Sequence, residues 1–349
     1  MSKGTNMDRR DFLKSGLQVT AGAVALGSAA GASAASSDKK ISLSGKIPER
    51  PFGKTGHVLP VLGHGGSAMV DGWAESYNVT LPGEEERAKM VRHAYDEGIR
   101  YFDTARVYSE SERLMGPALK DVREDVYLAS KVAAPAQAAR RSVEKSLEEL
   151  QTDYVDCMQI HSPIIEAIGP EGGMKLYEEL AKMRDEGLIR FIGLTTHVAF
   201  ESVHKMIDTG LFDQVLLARG YIKKGMNTML SNQNIEWRER CVARAHELGM
   251  AIVTMKVMGQ VFLGRGGTAV VADYDPEQRK ALPGAAIRWV LQDERISMLN
   301  IGMSVMDDVD SNLAIVKGDT AYTEADQMLL ADYGTRAYES EYVKAMKTV

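Results

Sequence analysis

Lys182-Met183-Arg184-Asp185-Glu186-Gly187-Leu188, followed at once by Ile189-Arg190-Phe191-Ile192-Gly193-Leu194, is the stretch whose reading decides the fold. Leu176, Leu180 and Met183 recur at i, i+4 and i+7, which gives a helix with one apolar stripe. Gly187 then supplies the left-handed residue that closes a helix. The apolar run after it suits a strand covered by helices on its outer side. The same phrase returns at His93-Ala94-Tyr95-Asp96-Glu97-Gly98-Ile99, at Met206-Ile207-Asp208-Thr209-Gly210-Leu211 and at Ala245-His246-Glu247-Leu248-Gly249-Met250, where Ala251 to Met255 forms the next apolar run. Val143, Leu147 and Leu150 make a further helical stripe.

Working outward from these copies, eight strand ends fall near His64, Asp103, Lys131, His161, Thr195, Leu217, Lys256 and Gly302, about one βα unit apart. Eight parallel strands with right-handed helical crossovers close into a (β/α)8 TIM barrel. A doubly wound open sheet has the same alternation, but no Gly-x-Gly-x-x-Gly turn follows any early strand. Pro51-Phe52-Gly53-Lys54-Thr55-Gly56-His57-Val58-Leu59-Pro60 reads as an N-terminal hairpin capping the barrel bottom. Asp71 to Gly83 reads as a long first βα loop on the face where barrel enzymes keep their sites.

Residues 48–349 form the expected barrel, and residues 1–37 a leader and tail. Asp8-Arg9-Arg10-Asp11-Phe12-Leu13-Lys14 precedes an uncharged Ala/Gly-rich stretch from Ser15 to Ser37, with Ala32-Ser33-Ala34 as a small-residue cleavage site. This is the pattern of a twin-arginine signal, which implies the twin-arginine export machinery as a partner and a periplasmic or exported destination. The stretch is weakly hydrophobic, so no stable membrane anchor is expected. A formal charge of −6, with 42 basic against 48 acidic residues, argues against a nucleic-acid partner. Two cysteines, Cys157 and Cys241, give no disulfide framework or thiolate metal site.

Four reactive side chains fall at successive strand ends: Asp103 with Tyr108, then Lys131, then His161. Each alone has an ordinary explanation, as a helix cap, a loop aromatic, a snorkelling strand end or a core histidine. Together they suit carbonyl chemistry. A tyrosine hydroxyl is a sluggish acid at neutral pH unless its neighbours tune it. A lysine ammonium beside Tyr108 favours the phenolate, Asp103 keeps that ammonium charged, and His161 orients the substrate oxygen. No metal cluster and no carboxylate pair is apparent at the strand ends, which disfavours a barrel hydrolase or isomerase.

Three segments resemble the aldo-keto reductase superfamily: Gly98-Ile99-Arg100-Tyr101-Phe102-Asp103-Thr104-Ala105 with Tyr108 five residues beyond the acid, Leu150 to Pro163, and Glu186 to Leu194. The resemblance spans residues 48 to 318. It implies a nicotinamide-dependent oxidoreductase, using NADP or NAD, that interconverts a carbonyl compound and an alcohol with Tyr108 as general acid or base. The alternative is a non-catalytic nucleotide-binding barrel. By the same resemblance, Thr195 and Thr196 stand where the family carries its carboxamide-holding Ser-Asn pair. Leu216 stands in place of a glutamine, and Met255, followed by Lys256, in place of the aromatic that stacks on the nicotinamide. These departures look like a divergent bacterial branch. Gly302, Ser304, Asp308 and Asn312 resemble the adenosine-phosphate turn. A carboxylate at Asp308 would repel a 2′-phosphate and accept a ribose hydroxyl, favouring NAD, or else would cap the last helix. Trp73 and Tyr77, with the helix after Thr323, are the substrate candidates. An exported enzyme of this kind would need a retained nucleotide or a redox partner.

Overall fold

The structure, a computed structural model, describes residues 44–74 and 79–349. The leader reading of residues 1–37 and the substrate candidate Tyr77 lie outside the described residues. The alternation read from sequence becomes eight parallel strands: β3 (Leu62–Gly65), β4 (Tyr101–Asp103), β5 (Tyr127–Val132), β6 (Val155–Ile160), β7 (Ile189–Thr196), β8 (Gln214–Ala218), β9 (Ala251–Met255) and β10 (Met298–Gly302). They pair in chain order, and β10 returns to β3 to close the barrel. The crossover helices are α1 (Glu84–Asp96), α2 (Ser111–Leu119), α3 (Ala139–Leu150), α4 (Ser162–Asp185), α5 (Phe200–Ile207), α6 (Asn232–Glu247), α7 (Pro276–Leu291) and α8 (Met306–Lys317). α9 (Glu324–Glu339) and the short α10 (Glu341–Lys344) follow.

The glycines of the repeated phrase do what the phrase requires of them. Gly98, Gly187, Gly210 and Gly249 have φ of +110°, +85°, +72° and +66°, the region that costs an L side chain most. Each stops a helix and turns the chain into the next strand. The largest apolar cluster fills the space between strands and helices, with Val143, Leu147, Leu176, Leu180 and Met183 all in it.

A second cluster fills the barrel's lower half. The hairpin of β1 (Glu49–Pro51) and β2 (Val58–Pro60) pairs antiparallel and carries Phe52 into the bottom, its ring 4.9 Å from Tyr127 and 5.7 Å from Tyr101. Tyr101, Tyr127 and Phe191 stack above it in turn, at 5.5 Å and 6.1 Å between rings. Arg50 on the same hairpin donates to the carbonyls of Leu291, Asp293 and Ile296. The barrel is therefore a packed core below and open to chemistry only at its upper, carboxyl-end face.

Two outer segments shape that face. α9 is capped by Thr323, whose hydroxyl accepts the Asp326 N–H, and packs on α7 through Leu282, Leu330 and Tyr333. Residues 347–349 run beside the loop after β8: Met229 N–H donates to the Lys347 carbonyl at 2.8 Å, and Val349 N–H to the Met229 carbonyl at 3.0 Å.

Candidate active site

Tyr108 is placed by the backbone on both sides of it. Its N–H donates to the Ala105 carbonyl, and its own carbonyl accepts the Ser111 N–H that opens α2. Between them Ser109 takes a left-handed φ of +40°, a conformation that costs a non-glycine residue energy and persists only where its surroundings enforce it. Thr104 Oγ1 donates to Ser111 Oγ at 2.8 Å beneath the turn. These contacts hold the Tyr108 ring over the strand ends.

The four residues expected to act together do meet. Lys131 and Asp103 are almost fully buried and form a short ion pair. The Lys131 ammonium also donates to the Thr104 carbonyl at 2.7 Å and lies 4.8 Å from the centre of the Tyr108 ring. Burial lowers the Lys131 pKa, and the Asp103 carboxylate works against that loss. On the other side of Tyr108, the His161 ring stands edge-on at 5.6 Å. Burial, reinforced by Lys131, holds the His161 imidazole well below its ordinary pKa, so it is neutral and offers one N–H. Its Nδ1 has no partner. The Trp73 ring covers Tyr108 at 5.0 Å.

Several supports were not picked out from the sequence. Gln159 Nε2 donates to the second Asp103 oxygen at 2.8 Å, and Gln214 Nε2 bridges Gln159 Oε1 and the Tyr101 hydroxyl. This row fixes the carboxylate from below. Gln214 lies two residues before Leu216 on the same face of β8, a period-two relation that was there to be read. Behind the turn, Arg87 is buried and donates to the Met69 carbonyl, to Glu110 Oε1 at 2.9 Å and to Asp71 Oδ2 at 3.1 Å. It ties the Trp73 turn to α1 and α2. His64 faces the helix layer, against Phe102, and burial pulls its pKa to about 4.

The residues expected to hold a cofactor divide into two groups. Thr196 Oγ1 is buried without a partner, and so is Asn300 Oδ1, which sequence reading missed, on the barrel face next to Gly65. Met255 packs on the barrel-interior cluster, and Lys256 follows it with a left-handed φ of +62°. The Thr195 hydroxyl accepts the Ser162 N–H at 2.8 Å, which leaves its own O–H to donate. Asp308 does not stand as a carboxylate open to a ribose. Its Oδ2 accepts the N–H groups of Ser304 at 2.9 Å and Val305 at 3.3 Å, so it caps α8, the alternative reading of this residue. The physical reason is the unsatisfied amides of a helix start, which an acid in the first turn satisfies. Ser304 and Asn312 are nearly buried at this end of α8, and Gly302 ends β10 against Ala68. Among the described residues, no group of three or more His, Cys, Asp or Glu is placed to hold a metal ion.

The family model described as "Aldo/keto reductase family" matches residues 61–327. The chain is 28% identical to L-galactose dehydrogenase of Arabidopsis thaliana over 293 residues, covering 78% of this chain and 88% of that one. It is 26% identical to (1S)-1,7-diacetoxy-luvungin A aldo-keto reductase of Citrus sinensis over 276 residues, covering 70% and 78%. The holo form of the aldo-keto reductase AKR11C1 from Bacillus halodurans superposes with a TM-score of 0.64 at 20% identity, over 86% of this chain and all of the other. With a matched segment that takes in every barrel strand and both sides of the Tyr108 site, the chain belongs to the aldo/keto reductase family.

Proposed function

We propose that this protein is an NAD(P)-linked oxidoreductase that reduces a carbonyl to an alcohol, or runs the reverse reaction, with Tyr108 as the proton donor and acceptor. The observation that carries this reading is the buried Lys131 ammonium, held by Asp103 and Thr104 and set against the Tyr108 ring. When bound, the nicotinamide supplies or accepts the hydride. The hydroxyl of Thr195, on the barrel-interior face of β7, and the carbonyl oxygen of the Asn300 side chain are polar groups suited to its carboxamide, with Thr196 next to them, and Met255 offers a thioether to the ring face.

On reduction, Tyr108 gives its hydroxyl proton to the carbonyl oxygen as negative charge develops there. The Lys131 ammonium stabilises the phenolate left behind. Asp103 keeps that ammonium charged, and Gln159 keeps Asp103 in place. Neutral His161 donates to the substrate oxygen and sets its angle, while Trp73 shields Tyr108 from water. Tyr108→Phe should lower the chemical step by a factor of about a hundred or more with nucleotide binding intact. Unchanged single-turnover rates would overturn the assignment.

NAD is the favoured nucleotide on this reading. The amides of Ser304 and Val305 that could receive a 2′-phosphate are taken by the Asp308 carboxylate, which would repel that phosphate. The name of the Arabidopsis relative supports a sugar-like substrate. Arg9-Arg10 and the Ala/Gly-rich run to Ser37 support export through the twin-arginine pathway after folding, with the nucleotide already bound and a redox partner or a bound pool to restore it. Arg9→Lys with Arg10→Lys should retain the protein inside the cell, and undiminished export would refute this.

A further inference from the structure

The arc of the barrel mouth from β5 to β9 is rich in bases. Lys131 ends β5, His161, His197 and Lys256 follow β6, β7 and β9, and Lys224 comes from the loop after β8. Of the three lysines only Lys131 has an acidic partner. Lys224 is 3% exposed, and its ammonium donates to the Met226 carbonyl at 2.7 Å. Lys256 is half-buried, and among the described residues no hydrogen-bond or acidic partner acts on its ammonium. His197 is nearly buried, and its Nδ1 has no partner. The Glu166 carboxylate on the first turn of α4 is occupied by the Ser162 hydroxyl at 2.7 Å.

Leaving two ammonium groups in such a place is costly, because burial removes their hydration and nothing of opposite charge replaces it. Burial pulls Lys224 down to about 7, helped by Lys256, and pulls Lys256 down to about 8. Burial also holds His197 far below its usual value, with Lys256, His161, Lys131 and Lys224 all adding to the effect. No carboxylate offsets any of the three. The loop is held firmly all the same: Gly225 packs on Val198 beside His197, and residues 347–349 pair with it at Met229 and Ser231. A rigid, dehydrated, uncompensated positive patch beside a reaction centre is a preformed receptor for an anion.

We propose that Lys224 and Lys256, with His197, form a subsite for an anionic group of the substrate, so that the preferred carbonyl compound carries a carboxylate, as a sugar acid does. This rests on the oxidoreductase reading and specifies its substrate class. The loop that bears Lys224 packs through Gly225 on Val198 after β7 and through Gly220 on the Lys256 carbonyl after β9, whereas the turn into α8 follows β10. Lys224, two strands away from that turn, is therefore assigned to the substrate and not to the diphosphate of the nucleotide, with Lys256 between it and Met255.

The test compares aldehydes matched except for the carboxylate: succinic semialdehyde with butanal, and glucuronate with glucose. The wild-type protein should favour the acid of each pair in kcat/KM by at least about tenfold, through KM. Lys224→Met should erase most of that preference and Lys224→Arg should keep it. Because each ratio is taken within one preparation, incomplete folding of a variant cancels. Fluorescence titration with NADH and NADPH separates the sources of the anion. If Lys224→Met weakens nucleotide binding and leaves the acid preference unchanged, the lysine serves the cofactor and the proposal is overturned. Calorimetric titration with succinate separates this proposal from the reading beneath it. Succinate binding lost in Lys224→Met, in a protein that reduces none of the four aldehydes, upholds the anion subsite and sinks the reductase. Reduction with no acid preference, and no succinate binding, does the reverse.

Discussion

Replacing Asp103 by Asn removes one charge from a pair whose members are both about 2% exposed. The Lys131 ammonium keeps the Thr104 carbonyl but has no carboxylate, and the new amide must turn its N–H groups toward either the ammonium or the Gln159 N–H. Breaking a buried pair from one side costs about 3–5 kcal/mol. In a barrel of roughly 300 residues this lowers Tm by about 5–10 °C. The pH dependence identifies the cause. Burial already lowers the Lys131 pKa with Asp103 the main group opposing it; without Asp103 the lowering deepens. The folded value then lies further below the unfolded lysine value near 10.4, so the penalty is full at low pH and fades as pH rises toward 10.4, by about 1.4 kcal/mol per unit while the lysine is neutral only when folded. Thermal unfolding at pH 6.5, 8 and 9.5 should show the gap between wild type and Asp103→Asn narrowing. A gap of constant size would refute a charge effect and point to packing. Asp103→Leu combined with Lys131→Met should regain most of the lost stability, because both charges are gone, while single-turnover reduction stays absent.

Asp308→Gln should move nucleotide preference toward NADPH, read as the ratio of dissociation constants by fluorescence, and an unmoved ratio would remove the argument for NAD. Arg87→Met should free the turn that carries Trp73 and raise KM more than it lowers kcat; unchanged KM and tryptophan emission would show that the turn holds without it. Lys224→Met should stabilise the protein on the order of 1–3 kcal/mol at pH 6.5. The folded pKa of about 7 lies below the unfolded value, so the cost of the charge is full below pH 7 and gone above about 10.4. Thermal unfolding at pH 6.5 and pH 10 checks this, and an equal loss of stability at both would mean that the bond to Met226 outweighs the buried charge.

The parts legible in the sequence were those written at short range. The helix, glycine and strand phrase is a local signal, since Gly98, Gly187, Gly210 and Gly249 each meet a steric need within a few residues, and eight such units leave few topologies. The four site residues could be grouped because strand ends in a barrel share one face. Gln159 and Gln214 were passed over because their role depends on a row across neighbouring strands, although the spacing of two from Leu216 carried the signal. Thr195 also accepts the N–H of Ser162 at the start of α4, a contact between neighbouring strand ends that no local pattern shows. Asp308 was ambiguous for a different reason: an acid three or four residues into a helix satisfies either the helix or a ligand, and only the positions of the Ser304 and Val305 amides decide. Lys224 and His197 lie in connections whose path no periodicity describes.

The reach of Arg50 bears on how this molecule is made. Its guanidinium bonds to carbonyls 241 to 246 positions further along the chain, in the turn after α7 that leads into the last barrel strand. During translation the hairpin emerges early and has nothing to hold. Phe52 and the rings it will cover stay open to solvent, or to a chaperone, until nearly the whole barrel has left the ribosome. Closing so long a loop adds only a modest entropic cost over closing a shorter one, but it makes the seating of the hairpin a late event that follows assembly of the barrel wall. The hairpin thus serves as a lock on the last strand, and a chain truncated before β10 would display an unsatisfied aromatic plug that marks it as unfinished.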